Sequence, residues 1–263
     1  MSRFAELAGS RIHYDEAGQG DAVLLLHGLA LDLRMWDDQV PALSQKYRVV
    51  RLDLHGFGKS SGVTGAFSHA EIISQLLAQL GIERAHVVGL SLGGLLAAEL
   101  VQQYPERARS LTLVDSDMSG LPWKTLGPTL SKVFAAGKTD IEAAKKLWLE
   151  HAFFDEARKQ PAVMARLQQM VTDYSGWHFA NAGAGIEQKP QPRTADVLTN
   201  FALPTLVVVG DCDVADFQDM AEEIAQRIPG ARKVVLNGVG HMSSMEDPTS
   251  FNRVLLEFLA TIR

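Results

Sequence analysis

His86-Val87-Val88-Gly89-Leu90-Ser91-Leu92-Gly93-Gly94-Leu95-Leu96-Ala97-Ala98-Glu99-Leu100-Val101 is the stretch whose reading decides the fold. Its β-branched opening predicts a buried strand, and its second half, rich in Leu and Ala, predicts a helix. Between them, Gly89-Leu90-Ser91-Leu92-Gly93 turns the chain sharply from one to the other. A serine on such a turn has its hydroxyl pushed out above the sheet edge. Glycines two residues to either side leave room for the tight backbone. Gly-x-Ser-x-Gly in a strand–turn–helix context is a nucleophile elbow, and it points to attack on acyl carbonyls.

The rest of the chain repeats the alternation. Buried strands are expected at 23–26 and 205–209, further strands at 49–53, 111–114 and 233–236, and a hairpin strand at 10–17 ahead of the Gly18-Gln19-Gly20 turn. Ser68-His69-Ala70-Glu71 is a capping box. It opens a helix with Ile72, Leu76, Leu77 and Leu80 on one face, closed by Gly81. The elbow helix stops near Tyr104-Pro105. Strands and helices in this rhythm imply an α/β fold with a mostly parallel, doubly wound sheet covered on both faces. From Met118 to Asn200 strand signals vanish; helical stretches at 140–151 and 162–171 replace them, with a flexible composition at 181–185.

A serine hydroxyl needs a base at neutral pH. His241 follows the last strand in the pliable Gly238-Val239-Gly240-His241 loop, and a histidine base titrates near 7. His13, His69, His86, His151 and His178 read as packed or surface residues. An acid to orient His241 is available in Gly210-Asp211-Cys212-Asp213, with Asp216 close behind.

The order Ser91, acid, His241, together with His27-Gly28-Leu29 after the 23–26 strand, resembles the α/β-hydrolase superfamily along essentially the full length. The resemblance is to its small esterase, lactonase and carbon–carbon-bond hydrolase branch. It implies a core from 1–117 and 201–263 and an all-helical cap inserted at 118–200. It selects Asp213, the third residue after the strand-closing Gly210, as the acid, with Asp115 as the fallback position. Asp211 and Asp216 are then loop residues that cap turns or face solvent. The oxyanion hole implied is the backbone N–H groups of Leu29 and Leu92. Asp53-Leu54-His55-Gly56-Phe57-Gly58-Lys59-Ser60 matches a structural loop of the family, with His55 in place of the usual Arg. Trp123, Trp148 and Trp177 in the cap read first as core, and together with Met242 they are also the candidates for pocket lining. The implied reaction is cofactor-free, metal-free cleavage of a small ester or lactone. Enol-lactone hydrolysis, carbon–carbon-bond hydrolysis and perhydrolysis stand as alternatives within the fold, and a ligand receptor retaining the triad stands as one outside enzymology.

Composition narrows the partners. At 263 residues and 46% apolar, the chain can build a sizeable core. The net charge of −6, without a basic block, excludes a nucleic-acid partner. The Gly56–Ser60 segment lacks phosphate-loop spacing. One cysteine, Cys212, cannot form an intramolecular disulfide and fits a reducing cytoplasm. The opening Met1-Ser2-Arg3-Phe4-Ala5-Glu6 lacks a leader's apolar run, and the most apolar stretch, 87–98, falls short of the roughly 20 residues a membrane span needs. A soluble protein is expected. Acyl chain length, pathway and oligomeric state are not set by the sequence.

Overall fold

The computed structural model describes residues 3–7 and 9–262; Met1 and Ser2, where the leader reading begins, lie outside the described residues. Eight strands form one sheet. They are β1 (Arg3–Leu7), β2 (Ser10–Ala17), β3 (Ala22–Leu26), β4 (Arg48–Leu52), β5 (Ala85–Leu90), β6 (Ala108–Val114), β7 (Thr205–Gly210) and β8 (Arg232–Leu236). The spatial order is β1-β2-β4-β3-β5-β6-β7-β8. β1 pairs antiparallel with β2 and β2 with β4; every later pairing is parallel. β3, β5 and β7 are buried at every residue, as parallel strands with helices on both faces must be. Each fully buried Leu or Val here contributes about 1.5–3 kcal/mol over its exposed state.

Seven longer helices cover the sheet and its C-terminal edge: α1 (His69–Gln79), α2 (Leu92–Gln103), α3 (Gly127–Gly137), α4 (Ile141–Leu149), α5 (Pro161–Asp173), α6 (Ala215–Arg227) and α7 (Pro248–Leu259). α1 begins as the capping box requires, with the Ser68 hydroxyl accepting from the Glu71 N–H at 3.3 Å. Gly81 closes it at φ +67°, a conformation that L side chains resist. α4 is capped by Asp140, whose carboxylate accepts from the Ala143 N–H at 3.0 Å. Among the described residues, no helix is long and apolar enough to cross a membrane.

Between β6 and β7 the chain is helical, and it is tied to the sheet layer at separated points. Phe67 and the segment Ile186–Gln188 exchange backbone bonds of 3.1 and 2.7 Å. Arg166 pairs with Asp38 at 2.6 Å, and Arg34 pairs with Asp173 at 2.7 Å. A further tie corrects part of an expectation. Asp216 does cap backbone N–H groups, but it does so from the first turn of α6, where it is buried, and not from a loop or facing solvent. Its carboxylate accepts from the backbone N–H groups of Lys124, Thr125 and Leu126, so it caps the approach to α3 from a different element. Asp211 is exposed as expected, and it accepts from the Gly238 N–H at 2.7 Å.

Candidate active site

Ser91 sits between β5 and α2 at φ 54°, ψ −116°, a strained region for a side chain with a Cβ. Such a conformation costs on the order of 1–3 kcal/mol and persists only where its surroundings enforce it. Here the Ser91 N–H donates to the Val114 carbonyl of the neighbouring strand at 2.9 Å. The flanking glycines are demanded by contact: a Cβ on Gly89 would lie 2.0 Å from the Gly93 carbonyl oxygen, and one on Gly93 would lie 2.1 Å from the Leu26 carbonyl oxygen. The elbow therefore packs backbone to backbone against itself and against β3.

His241 and Asp213 are brought together. The His241 Nδ1 and the Asp213 Oδ2 lie 2.9 Å apart, both side chains buried. With Nδ1–H donating to the carboxylate, Nε2 remains the basic nitrogen. The loop holding the imidazole is clamped by Glu246, whose carboxylate accepts from the Gly240 N–H at 2.5 Å and the Met242 N–H at 3.3 Å. Burial drives His241 below its ordinary 6.5, against the opposing pull of the Asp115, Glu246 and Asp117 carboxylates. No hydrogen bond joins the Ser91 hydroxyl to His241 among the described residues; catalytic hydrogen bonds are often long before substrate arrives.

Asp115 is a second buried carboxyl beside the first. It stands at φ 42°, accepts from the Gly210 N–H at 2.9 Å, and meets the Ser243 hydroxyl at 2.5 Å. Its side chain also reaches Asp213. Burial first, and the Asp213 charge second, raise it well above the carboxylate range. Two carboxyls in one dry site cannot both ionise. Burial raises Asp213 well above the carboxylate range too, against its hydrogen bonds from the Val214 N–H and Asp115. Asp213 faces the His241 Nδ1, and Asp115 lies on its far side, so Asp115 is the better placed of the pair to carry a shared proton.

The loop after β3 is shaped by His27. Its Nδ1–H donates to the Gly28 carbonyl at 2.8 Å, and its Nε2 accepts from the Leu54 N–H at 3.0 Å. Both ring nitrogens being used in this way, the imidazole is neutral, consistent with the downward push of full burial. Leu29 lies between this anchored residue pair and Ala30, itself at φ 61°. Leu92 is the first residue of α2, where an N–H is unpaired within the helix and sits at the positive end of its dipole.

Ser91, Leu29 and Leu92 line one cavity of about 530 Å³. Trp123, Trp148 and Trp177 all line it too. One wall is a chain of rings: Trp123 meets Phe217 at 5.4 Å, Phe217 meets Phe153 at 5.5 Å, and Phe153 meets Trp148 at 5.4 Å. Phe153 and Phe217 both cover the His241 imidazole, at 4.7 and 4.1 Å. Met242 is corrected: it is 3% exposed, packed in the core, and is not among the residues lining this cavity. Two residues read as ordinary packing, His69 and His178, do line it. Only their distance from the elbow in sequence concealed them. His55, in the Arg position of the structural loop, is buried edge-on against Phe67 at 4.9 Å. Cys212 is exposed, and the adjacent Asp211 pushes its thiol upward, away from the reactive thiolate. Among the described residues, no three metal-ligating side chains gather.

The family described as the alpha/beta hydrolase fold matches residues 21–248, and the chain belongs to it. It is a hydrolase-fold protein of the esterase, lactonase and carbon–carbon-bond hydrolase branch. A 2-hydroxy-6-oxononadienedioate/2-hydroxy-6-oxononatrienedioate hydrolase of Burkholderia vietnamiensis is 30% identical, covering 95% of this chain and 91% of the relative. A pimeloyl-[acyl-carrier protein] methyl ester esterase of Aeromonas hydrophila is 29% identical over 94% of this chain and 99% of its own length. Among solved structures, an enol-lactonase from Burkholderia xenovorans superposes with a TM-score of 0.86 at 26% identity, covering 98% of this chain and all of that one (100%).

Proposed function

We propose that the protein is a serine hydrolase that cleaves small carboxylic esters, open-chain or cyclic, through an acyl-enzyme on Ser91. The observation that carries this is the meeting, on one cavity, of the strained Ser91 elbow and the two rings that cover the His241–Asp213 pair. Ser91 Oγ attacks the acyl carbon while His241 Nε2 takes its proton. Asp213 holds the tautomer and stabilises the imidazolium. The N–H groups of Leu29 and Leu92 receive the oxyanion, each such donor supplying about 2.7–4 kcal/mol. His241 returns the proton to the departing alkoxide, then activates a water that releases the acid and regenerates Ser91. The helices of 118–200 act as the cap that dries the site.

An organophosphate tests the reading: one covalent adduct per chain on the Ser91 peptide, formed far more slowly in His241→Ala. Loss of activity to thiol reagents with Ser91 unlabelled overturns it. The 30% identity to a carbon–carbon-bond hydrolase supports a second reading. Faster turnover of a 2-hydroxy-6-oxodienoate than of any ester would put that reading first.

A further inference from the structure

The base of the proposed reaction, His241, has a backbone to be held as well as a ring. The loop that carries it begins at Gly238, which stands at φ +74°. From the strand side the loop is seated on β7. The Val239 carbonyl accepts from the Cys212 N–H at 3.0 Å, and a Cβ on Gly210 would lie 2.3 Å from that same oxygen. From the other side one buried carboxylate grips it. Glu246 accepts from the N–H of Gly240 at 2.5 Å and from the N–H of Met242 at 3.3 Å, the residues immediately before and after His241. The Glu246 N–H donates in turn to the Met242 carbonyl at 2.9 Å, so the grip is reciprocal.

The charges around the imidazole single out the same residue. Asp213 follows β7, Asp115 and Asp117 follow β6, and the His151 imidazole comes from the segment between β6 and β7. From that segment Glu156, paired with Lys159 at 2.6 Å, packs its methylenes against Gly240, where a Cβ would lie 3.1 Å from them. Asp115 and Asp213 hold at most one charge between them. Burial pushes Asp117 upward and holds His151 neutral, at about 4. Glu246 differs in receiving two backbone N–H bonds, which favour its ionised form against the upward push of burial. Its charge opposes the burial that lowers His241.

We propose that Glu246 is a positioning residue for the base. Its carboxylate fixes the backbone on both sides of His241, so that the ring meets Asp213. It also places a negative charge beside the imidazolium that forms as Ser91 gives up its proton. Glu246 touches neither substrate nor reacting atom and acts through His241. This rests on the serine-hydrolase reading above.

Two substitutions separate the grip from the charge. Glu246→Gln removes the charge and turns an amide N–H toward one of the two backbone donors. Glu246→Asp keeps the charge and falls one methylene short of the loop. With p-nitrophenyl acetate, kcat is expected to fall about tenfold or more in both, with KM within about twofold of the parent, because a displaced base slows chemistry rather than binding. In Glu246→Gln the acid limb of kcat/KM should also move to lower pH by about half a unit or more, the imidazolium having lost a neighbouring charge. Glu246→Asp should move it less. A parent-like kcat in Glu246→Asp overturns the inference. So does an unmoved acid limb in a folded Glu246→Gln, which is what a residue that merely packs the loop would give. If thermal melts show that the Gln variant does not fold, Glu246→Asp decides alone, a loss of kcat at unchanged KM supporting the inference. Organophosphate labelling of the parent runs alongside. A labelled Ser91 with parent-like variants removes this inference and leaves the hydrolase reading, whereas an unlabelled, inactive parent removes both.

Discussion

The Phe153 ring, carried by the helical segment between β6 and β7, lies nearly parallel to the His241 imidazole at 4.7 Å and 28°. Phe217, from α6, tilts against it at 4.1 Å. A residue of the inserted segment therefore helps to keep water from a histidine of the sheet layer, and burial is the leading cause of that histidine's lowered pKa.

Removing the ring should reverse the effect. In Phe153→Ala the imidazole regains solvent, its pKa climbs back toward 6.5, and the acid limb of kcat/KM moves to higher pH. The neutral base is needed for turnover, so activity at mildly acidic pH falls most. Phe153→Leu, which keeps apolar cover, should move the limb less. A pH–rate profile with an unshifted acid limb in the Ala variant would show that Phe153 contributes packing alone.

Asp115 and Asp213 should respond oppositely to amidation. An asparagine at 115 imitates a protonated carboxyl: its oxygen can still accept from the Gly210 N–H and its amide can donate toward Asp213. Asp115→Asn should thus keep kcat within about an order of magnitude. Asp213→Asn removes the acceptor for His241 Nδ1–H, fixes the wrong tautomer, and should lower kcat by several orders of magnitude with little change in folding. Steady-state kinetics beside thermal melts checks both; an inactive but folded Asp115→Asn would transfer the acid role to Asp115.

Much of the fold is legible in the sequence. Ser91, His241 and the strands around them announce themselves because an elbow imposes glycines and buried parallel strands impose apolar runs. β1 was missed: Arg3–Leu7 alternates weakly, exposes Phe4, and is held by pairing with β2 rather than by its own pattern. Helix ends were displaced for local reasons. α4 stops at Leu149 rather than 151 because the chain turns there into the Ala152–Phe154 turn, with the His151 Nδ1 accepting from the Phe153 N–H. Asp216 and the His69–His178 wall were illegible for a different reason. Their partners lie about ninety to a hundred and ten residues away along the chain, and no local pattern encodes a contact of that separation.

The aromatic wall predicts a division of labour among the tryptophans. Trp123 and Trp148 belong to the ring chain beside His241, whereas Trp177 packs on His178 at 4.8 Å and Phe67 at 6.2 Å. Trp123→Ala or Trp148→Ala should lengthen the preferred apolar arm, with discrimination moving by ~1–3 kcal/mol per methylene-sized difference. Trp177→Ala, which removes a ring outside that chain, should change the ranking by arm length less. A panel of p-nitrophenyl esters of increasing acyl length, run on all three variants, reads the difference. Identical substrate rankings with uniformly lower melting temperatures would mean that the three rings serve only as core.

Glu99 ties stability to pH away from the chemistry. It is 2% exposed in α2, its Oε1 lacks a partner, and burial lifts its pKa from 4.5 to about 7. The folded chain therefore holds a proton that the unfolded chain has released between pH 4.5 and 7. Its contribution to stability is full below the unfolded value and is lost as pH rises through the folded one. At one pH unit to 1.36 kcal/mol, the loss is at most about 3 kcal/mol by pH 8. Glu99→Gln, permanently neutral and nearly isosteric, should remove this dependence. Urea unfolding at pH 5 and pH 8 should show the variant gaining on the parent at the higher pH by up to that amount. Parallel curves for the two proteins at both pH values would mean that Glu99 finds water or a partner when ionised.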